Sequence, residues 1–514
     1  MIAVQDWKAA NEFDSTIVLL FSLEDEYPGK EEALQASKVD NVVGKGVTIH
    51  QAAVPGGRVI LGPLGELNGD LDDVRNFAET ARTAVSRAKS AGSTAPLLVF
   101  SRAPDTSKFP EYANALQVSV LGIFQELYVG LQAREAKGKE KVETIRKIGI
   151  YYPALPFDKL QSMLQLVWNL EAGKRLARDL GDGDPERMAP VNFADFVVAS
   201  FKGSPVKVTV KSDRELLEKE YPLLMSVARG SRNVGRHLPR VIHLEYIPEG
   251  EVKETLYLVG KGVTYDTGGL DLKVGGIMAG MSRDKCGASN VAGILLLVGL
   301  LKPKNIKVVA ELGVVRNTIG SESYAADEVI TGHSGARVKT MNTDAEGRYV
   351  LADCLSHLRT EAIETKAPNP KFFTFATLTG HVVQSIGAYT AIIDNGPAVA
   401  IGQSVFIKKN GEMWGDASET SFIRKEDLKG ITKSDPSFDV LQMSTGKGRG
   451  HQYASLFLAI ASGLNKHGKD STQPFPYSHF DIAGSAVENC DFQFGKVTAS
   501  GLTAFAASYI FPNL

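Results

Sequence analysis

The stretch MNTDAEGRYVLADCL, residues 341–355, sets Asp344, Glu346 and Arg348 two residues apart, with an apolar run straight after them. Side chains alternate along an extended chain, so there all three would share one face. Two carboxylates aimed at one point repel, and each raises the other's pKa. A divalent cation removes that conflict, and oxygen-rich clusters suit zinc, manganese or magnesium. The plain alternative is a solvated acidic turn before a helix, where Asp and Glu are favoured by the positive end of the helix dipole. A second stretch, VGKGVTYDTGGLDLK (259–273), carries Lys261, Asp266 and Lys273 with the adjacent glycines Gly268 and Gly269. Glycines let backbone approach a ligand closely. A third, MAGMSRDKCGASNVAGILLLVGLL (278–301), places Asp284 before a small-residue entry to an apolar helix. Singly, Asp266 and Asp284 read as helix caps. Capping does not explain why all three junctions come with lysines and glycines. In an open α/β sheet such junctions converge at the carboxyl ends of the strands, where ligands bind.

The elements that must position these residues alternate. STIVLLFSL (15–23), APLLVFS (95–101) and IRKIGIYYP (145–153) have strand composition, and LDDVRNFAETARTAVSRAKSA (71–91) has helical spacing. EYANALQVSVLGIFQELYVGLQAREAKGKEK (111–141) reads as one helix that dissolves into charge. FDKLQSMLQLVWNLEAGKRLARDL (157–180) is a long amphipathic helix, followed by the breaker-rich GDGDPERMAP (181–190). Beyond it PVKVTV, PRVIHLEYI, TLYLVGKGV, IKVVAELGVV and KFFTFATLTG are strand-like, with helices between them. The reading is an α/β fold in two domains: a small N-terminal α/β domain over 1–155, a connecting helix and linker over 156–184, and a larger C-terminal α/β domain over 185–514.

A chain of 514 residues exceeds one ordinary core. With 43% hydrophobic and 23% charged residues and a net charge of -2, the composition is that of a soluble globular protein with no pull towards polyanions. Nucleic acid is therefore not an expected partner, and the basic AREAKGKEK (133–141) reads as a solvated helix end. Cys286, Cys354 and Cys490 form no CxxC pair, which fits a reducing compartment, and they read as buried. The N-terminus lacks a secretory pattern, so the expected location is cytoplasmic. The apolar run VAGILLLVGLL (291–301) is too short to cross a bilayer and reads as buried helix, so no membrane is expected. STGKGRG (444–450) lacks the GK[ST] ending of a phosphate loop, and His381 and His479 read as structural. No HExxH or GxSxG is present.

VGKGVTYDTGG, MSRDKCGA, NTDAEGR and FATLTG resemble the leucine aminopeptidase family of two-metal exopeptidases, NTDAEGR being close to a family signature. Weaker similarity in VWNLEAGKRLARDL, LLMSVARGSRNVGRHLPRVIHLEY and YSHFDIAG extends it over most of 157–484. The resemblance implies a catalytic C-terminal domain with a mixed central sheet flanked by helices. It implies that Lys261, Asp266, Asp284, Asp344 and Glu346 bind two divalent metal ions, zinc or, at the exchangeable site, manganese or magnesium. Lys273 would be a catalytic electrophile, and Arg348 would hold a bicarbonate that shuttles protons. Met281, Asn342, Ala345, Thr377, Leu378 and Gly380 would line the substrate pocket. The implied reaction is release of leucine-like residues from peptides with a free N-terminus, through a metal-activated water, by a homohexamer. Lys261 would have to be neutral, its pKa depressed from about 10.4 by metal charge and burial.

Three segments depart from the family pattern. Lys285 stands where a methionine is usual after the metal-binding Asp284, an extra ammonium expected beside the site. AAD (325–327) replaces Pro-Gly-Asp, and GDGDPERMAP replaces an Asn-Thr-Pro segment. They leave two rival readings: a family member with weak or no peptidase activity that acts as a binding or structural protein, and a dipeptidase of the same fold.

Overall fold

The computed structural model describes every residue except Thr445 and Lys447, so part of the STGKGRG stretch lies outside the described residues. The chain forms two compact units, Met1–Glu171 with Glu412–Gly415, and Ala172–Gly411 with Asp416–Leu514. The division falls inside the helix Phe157–Asp182.

The first unit is built on a six-stranded sheet of β1 (Ile2–Ala3), β2 (Ser15–Leu20), β3 (Thr48–Gln51), β4 (Arg58–Pro63), β5 (Pro96–Phe100) and β6 (Gly149–Tyr151). The order is β1-β6-β5-β2-β4-β3, parallel throughout except that β3 runs against β4. All residues of β2 and β5 are buried, as their continuous apolar runs require in a parallel sheet covered on both faces. The helix Arg75–Ser90 buries Phe77, Ala81, Ala84, Val85 and Ala88, a single stripe at helical spacing. The helix expected over 111–141 is broken. The segment Ala115–Leu127 ends where Tyr128 turns extended, and short helices Leu131–Lys137 and Lys139–Val142 follow. Its charged tail has no apolar stripe to hold it against a core.

The second unit carries β7 (Lys207–Lys211), β8 (Arg240–Tyr246), β9 (Glu254–Asp266), β10 (Ile306–Asn317), β11 (Val329–Thr331), β12 (Arg337–Lys339), β13 (Pro370–Ala376), β14 (Thr390–Asp394), β15 (Ser418–Phe422), β16 (Val440–Leu441) and β17 (Tyr477–Asp481). Its eight-stranded sheet has the order β15-β14-β17-β13-β9-β10-β8-β7. The four central strands, β17, β13, β9 and β10, are parallel, and antiparallel pairs flank them. The sheet is thus mixed, as expected. β11, β12 and β16 form a separate three-stranded sheet.

The helix Cys286–Leu301 is buried over most of its length. With the preceding turn it makes a 21-residue stretch, Met281–Leu301, that is long and apolar enough to cross a membrane by length and composition alone. The length expected from VAGILLLVGLL was therefore too short, but burial is as read: 83% of the apolar window is covered within the fold. The helix lies so close to β9 that a Cβ on Gly260 would come within 2.5 Å of the Ala288 Cα. A second helix, Gly347–Glu364, packs its buried face on the same sheet and shares a core with Tyr257, Val259 and Val309.

Candidate active site

β9 crosses the middle of the sheet between β13 and β10, and its last residues carry Lys261 and Asp266 to the carboxyl edge. There the chain turns through Gly268 and Gly269, both at positive φ (84° and 65°), which only glycine adopts freely. The turn lets the Gly268 amide donate to Asp266 Oδ1 at 2.8 Å. Asp284 arrives from the short 3-10 turn Met281–Lys285 that opens the buried helix. Asp344 and Glu346 do not arrive on an extended strand. Thr343–Ala345 is a 3-10 turn, and Gly347–Glu364 is helix directly behind it. The shared face expected from period two is therefore absent. Asn342 caps this turn, its Oδ1 accepting from the Asp344 amide at 2.6 Å, and the side chains then diverge to different partners.

The partners define a compact cluster. Lys261 Nζ lies 2.8 Å from Asp284 Oδ1 and 2.9 Å from Glu346 Oε1, and donates to the Thr377 carbonyl at 3.0 Å. Lys273 Nζ lies 3.0 Å from Asp266 Oδ2 and 2.5 Å from Asp344 Oδ1. Carboxylate oxygens of Asp266, Asp284 and Glu346 stand within 4.8 Å of one another. All three residues are buried. Asp284 Oδ2 and Glu346 Oε2 have no hydrogen-bond partner among the described residues. A buried carboxylate oxygen left unpaired is costly, and a cation is what such oxygens accommodate.

The electrostatics agree. Burial pushes the Asp284 carboxyl well up, with Glu346 and Asp266 adding to it against Lys261. Burial and then Asp266 push Asp344 up to about 7 and raise Glu346 as well. Carboxyls that resist ionising side by side gain from a divalent charge between them. Lys261 goes the other way from the expectation of a depressed pKa. Burial lowers it, but Asp284, Glu346 and Asp266 outweigh burial and hold the ammonium. Added positive charge in the cluster would work against that balance.

Arg348 is buried, and burial lowers its pKa. Its Nη1 donates to the Gln442 carbonyl at 2.7 Å, while its Nε has no partner among the described residues. Of the pocket residues, Thr377 Oγ1 donates to Asp284 Oδ1 at 2.8 Å, and Ala345 O accepts from Gln442 Nε2 at 3.2 Å. Met281 opens the turn that carries Asp284, Asn342 caps the turn that carries Asp344, and Leu378 and Gly380 follow β13 beside Thr377. His479 is fully buried, with Nδ1 2.7 Å from Thr374 Oγ1, and burial drives its pKa down to about 3. His381 Nδ1 lies 2.8 Å from His451 Nδ1. Cys286 and Cys354 are buried as expected, but Cys490 is half-buried, its thiol on the Gly484 carbonyl.

Three positioning residues carry no local signal in the sequence. Asn317 ends β10 just past a register shift, which turns its Nδ2 onto Asp266 Oδ1 at 2.8 Å and the Thr343 carbonyl at 3.0 Å. Gln442, nearly a hundred residues from the NTDAEGR turn, accepts from the Met341 and Asn342 amides at 2.9 and 3.0 Å. Asp481, at the end of β17, accepts from the Leu378 amide at 3.1 Å and the Thr379 hydroxyl at 2.7 Å.

Lys285 does not add its charge to the cluster, contrary to expectation. It is fully buried and donates to the carbonyls of Gly183, at 2.7 Å, and Ser282. Gly183 follows the C-terminus of the helix Phe157–Asp182, where carbonyls are unpaired and a cation is favoured. Asp182 in turn pairs with Arg283 at 2.8 Å. Two departures from the family pattern, Lys285 and GDGDPERMAP, are thus one structural adjustment. Lys285→Met is expected to leave turnover unchanged and to lower unfolding stability by about 1–3 kcal/mol, the cost of a buried carbonyl left unpaired. Urea denaturation alongside kinetics checks both halves.

Residues 175–510 match the model of the catalytic domain of the cytosol aminopeptidase family. The chain belongs to that family. A Caenorhabditis elegans protein named as belonging to the aminopeptidases is 39% identical over 91% of this chain and 87% of its own length. A probable cytosol aminopeptidase of Tropheryma whipplei is 32% identical over 64% of this chain and 62% of its own length. Another, of Synechococcus sp., is 28% identical over 90% of this chain and 87% of its own length. Membership supports an aminopeptidase, a peptidase hydrolase acting on peptides.

Proposed function

We propose that the chain is a metal-dependent aminopeptidase releasing leucine-like N-terminal residues from peptides through a dinuclear site. The observation that carries this is the cluster of buried Asp266, Asp284 and Glu346 with half-buried Asp344 around Lys261 and Lys273, with carboxylate oxygens left unpaired. Lys261, Asp266, Asp284, Asp344 and Glu346 would hold two divalent ions, zinc or manganese or magnesium. Bound there, such ions would supply a water of near-neutral pKa and Lewis-acid polarisation of the scissile carbonyl, and would give the free α-amine a partner.

The chain's own groups do the rest. Lys273 is held as an ammonium by Asp266 above all, against the opposing effect of burial. An ammonium at this rim stabilises negative charge developing on the scissile carbonyl oxygen. Arg348, whose buried Nε has no partner among the described residues, would hold a small oxyanion such as bicarbonate, which would supply a proton acceptor beside the site. The loop Thr377–Thr379, pinned by Asp481, and the turn pinned by Gln442 line the approach and orient the peptide. We further read the protein as cytoplasmic, consistent with its three free cysteines, and as a homohexamer like the family it belongs to.

Hydrolysis of a leucine anilide by the chain loaded with zinc or manganese tests the reading, with Lys273→Ala in parallel. The expected result is metal-dependent turnover that falls about 10²–10³-fold in the variant, as when one oxyanion donor is removed. No turnover on leucine or on a panel of other residues and dipeptides, with metal shown to be bound, would overturn it.

Chelation is expected to abolish turnover yet leave the protein folded. The two lysine ammoniums offset part of the charge of the four carboxylates, and the elements that carry the cluster are held by their own buried apolar core. Circular dichroism before and after chelator, with activity restored on reloading, checks this.

A further inference from the structure

A second group of ligand-type side chains stands elsewhere in the same unit. Glu220 ends the helix Arg214–Glu220, His333 lies in the turn between β11 and β12, and His357 sits on the helix Gly347–Glu364. His357 is eleven positions beyond Glu346, about 16 Å along the helix axis, so this group is separate from the carboxylate cluster.

Glu220 Oε2 lies 3.6 Å from His333 Nε2 and 3.8 Å from His357 Nε2. One ligand atom from each residue falls within 4.8 Å of the others. These separations are too long for hydrogen bonds and close to the span of ligands around one ion. A tetrahedral zinc with bonds of about 2.0–2.1 Å sets its ligand atoms roughly 3.4 Å apart.

The far side of the His333 ring is hydrogen-bonded, and that of the His357 ring faces a carboxylate. His333 Nδ1 is 2.9 Å from the Ser356 hydroxyl. His357 Nδ1 is 3.7 Å from Oε1 of Glu311, a fully buried carboxylate. A ligating histidine characteristically gives its other N–H to a hydroxyl or carboxylate, as His333 Nδ1 can to Ser356, which leaves Nε2 bare, and the Glu311 charge favours the same tautomer at His357. Tyr221 stacks on the His357 ring with centroids 5.0 Å apart, and Asp353 accepts from the His333 amide at 2.9 Å, which holds the His357 ring and the His333 backbone in place.

The neighbouring lysines are already paired. Lys211 pairs with Glu311 at 2.8 Å, and Lys219 takes the other oxygen of Glu220 at 3.0 Å. His243 also faces Glu311, at 3.5 Å, and Arg359 adds positive charge near His333. Burial holds both histidines below the ordinary pKa, which keeps them neutral and able to ligate at neutral pH. All three side chains retain 17–29% exposure, enough for an ion to enter and keep a water.

We propose that Glu220, His333 and His357 form an additional divalent-metal site of zinc type, with the fourth position open to water. Two imidazoles and one carboxylate suit zinc over calcium or magnesium, which prefer all-oxygen shells. The ion would clip together three segments that the chain otherwise brings side by side through packing.

The test is a count of zinc by elemental analysis on the full chain after dialysis in zinc-buffered solution. His357→Ala and His357→Phe serve as variants, the phenylalanine keeping a ring against Tyr221. Both are expected to carry one equivalent fewer than the parent while leucine anilide turnover is unchanged. Cobalt substitution should add tetrahedral visible absorption that both variants lack. Equal zinc content in parent and variants, with no difference in the cobalt spectrum, would overturn the site. The difference is read between chains with the same catalytic cluster, so it stands whether or not that cluster binds two metals.

Discussion

Glu346→Ala is expected to reduce leucine anilide turnover by at least about 10³-fold, since even an outer partner of a metal ligand is worth roughly 10–100-fold. That corresponds to about 4 kcal/mol of lost transition-state stabilisation. The side chain is buried, one oxygen meets Lys261 at 2.9 Å and the other has no partner. On the proposed reading, removing it withdraws a metal ligand and a countercharge of Lys261 together. Metal content should fall in the same variant, while the fold persists because the helix Gly347–Glu364 keeps its buried face on the sheet. Near-normal turnover with full metal content would sink the assignment of Glu346 as a ligand.

Gly347→Ala is the second large effect, and it comes from space. A Cβ at position 347 would lie 2.5 Å from Lys261 Cε and 2.6 Å from its Nζ. Lys261 cannot swing aside without breaking its contacts with Asp284, Glu346 and the Thr377 carbonyl. A misplacement near 1 Å at a reacting site costs about 10²-fold, and that is the loss expected in kcat/KM. Alanine is a better helix former than glycine, so unfolding stability should change far less than activity. A variant that loses metal and activity but melts within a few degrees of the parent fits this account. Retained activity would show that Lys261 relaxes without penalty.

The local motifs were legible because their chemistry is written in adjacent residues. Carboxylates, lysines and glycines at three strand-to-helix junctions, and the alternation of strands and helices, are short-range patterns, and they located the cluster and the α/β class. The backbone at Asp344 and Glu346 was misread because period two in a sequence does not require a strand. The Asn342 cap and the helix behind it decided the geometry. The 111–141 helix was misread because charge continued its pattern past the point where an apolar stripe ended.

By itself, the sequence determined which groups are available: the carboxylates, the lysines, the arginine and the glycines that let backbone close on them. Tertiary structure alone decided where each points. Asn317 turns onto Asp266 past a register shift, and Gln442 and Asp481 reach loops about a hundred residues away. Lys285 faces the Gly183 carbonyl instead of the cluster, and His333 and His357 meet Glu220 across more than a hundred residues. The physical reason is that a hydrogen bond or an ion pair depends on separation in space, and sheet register and helix packing set that separation without leaving a local pattern in the chain.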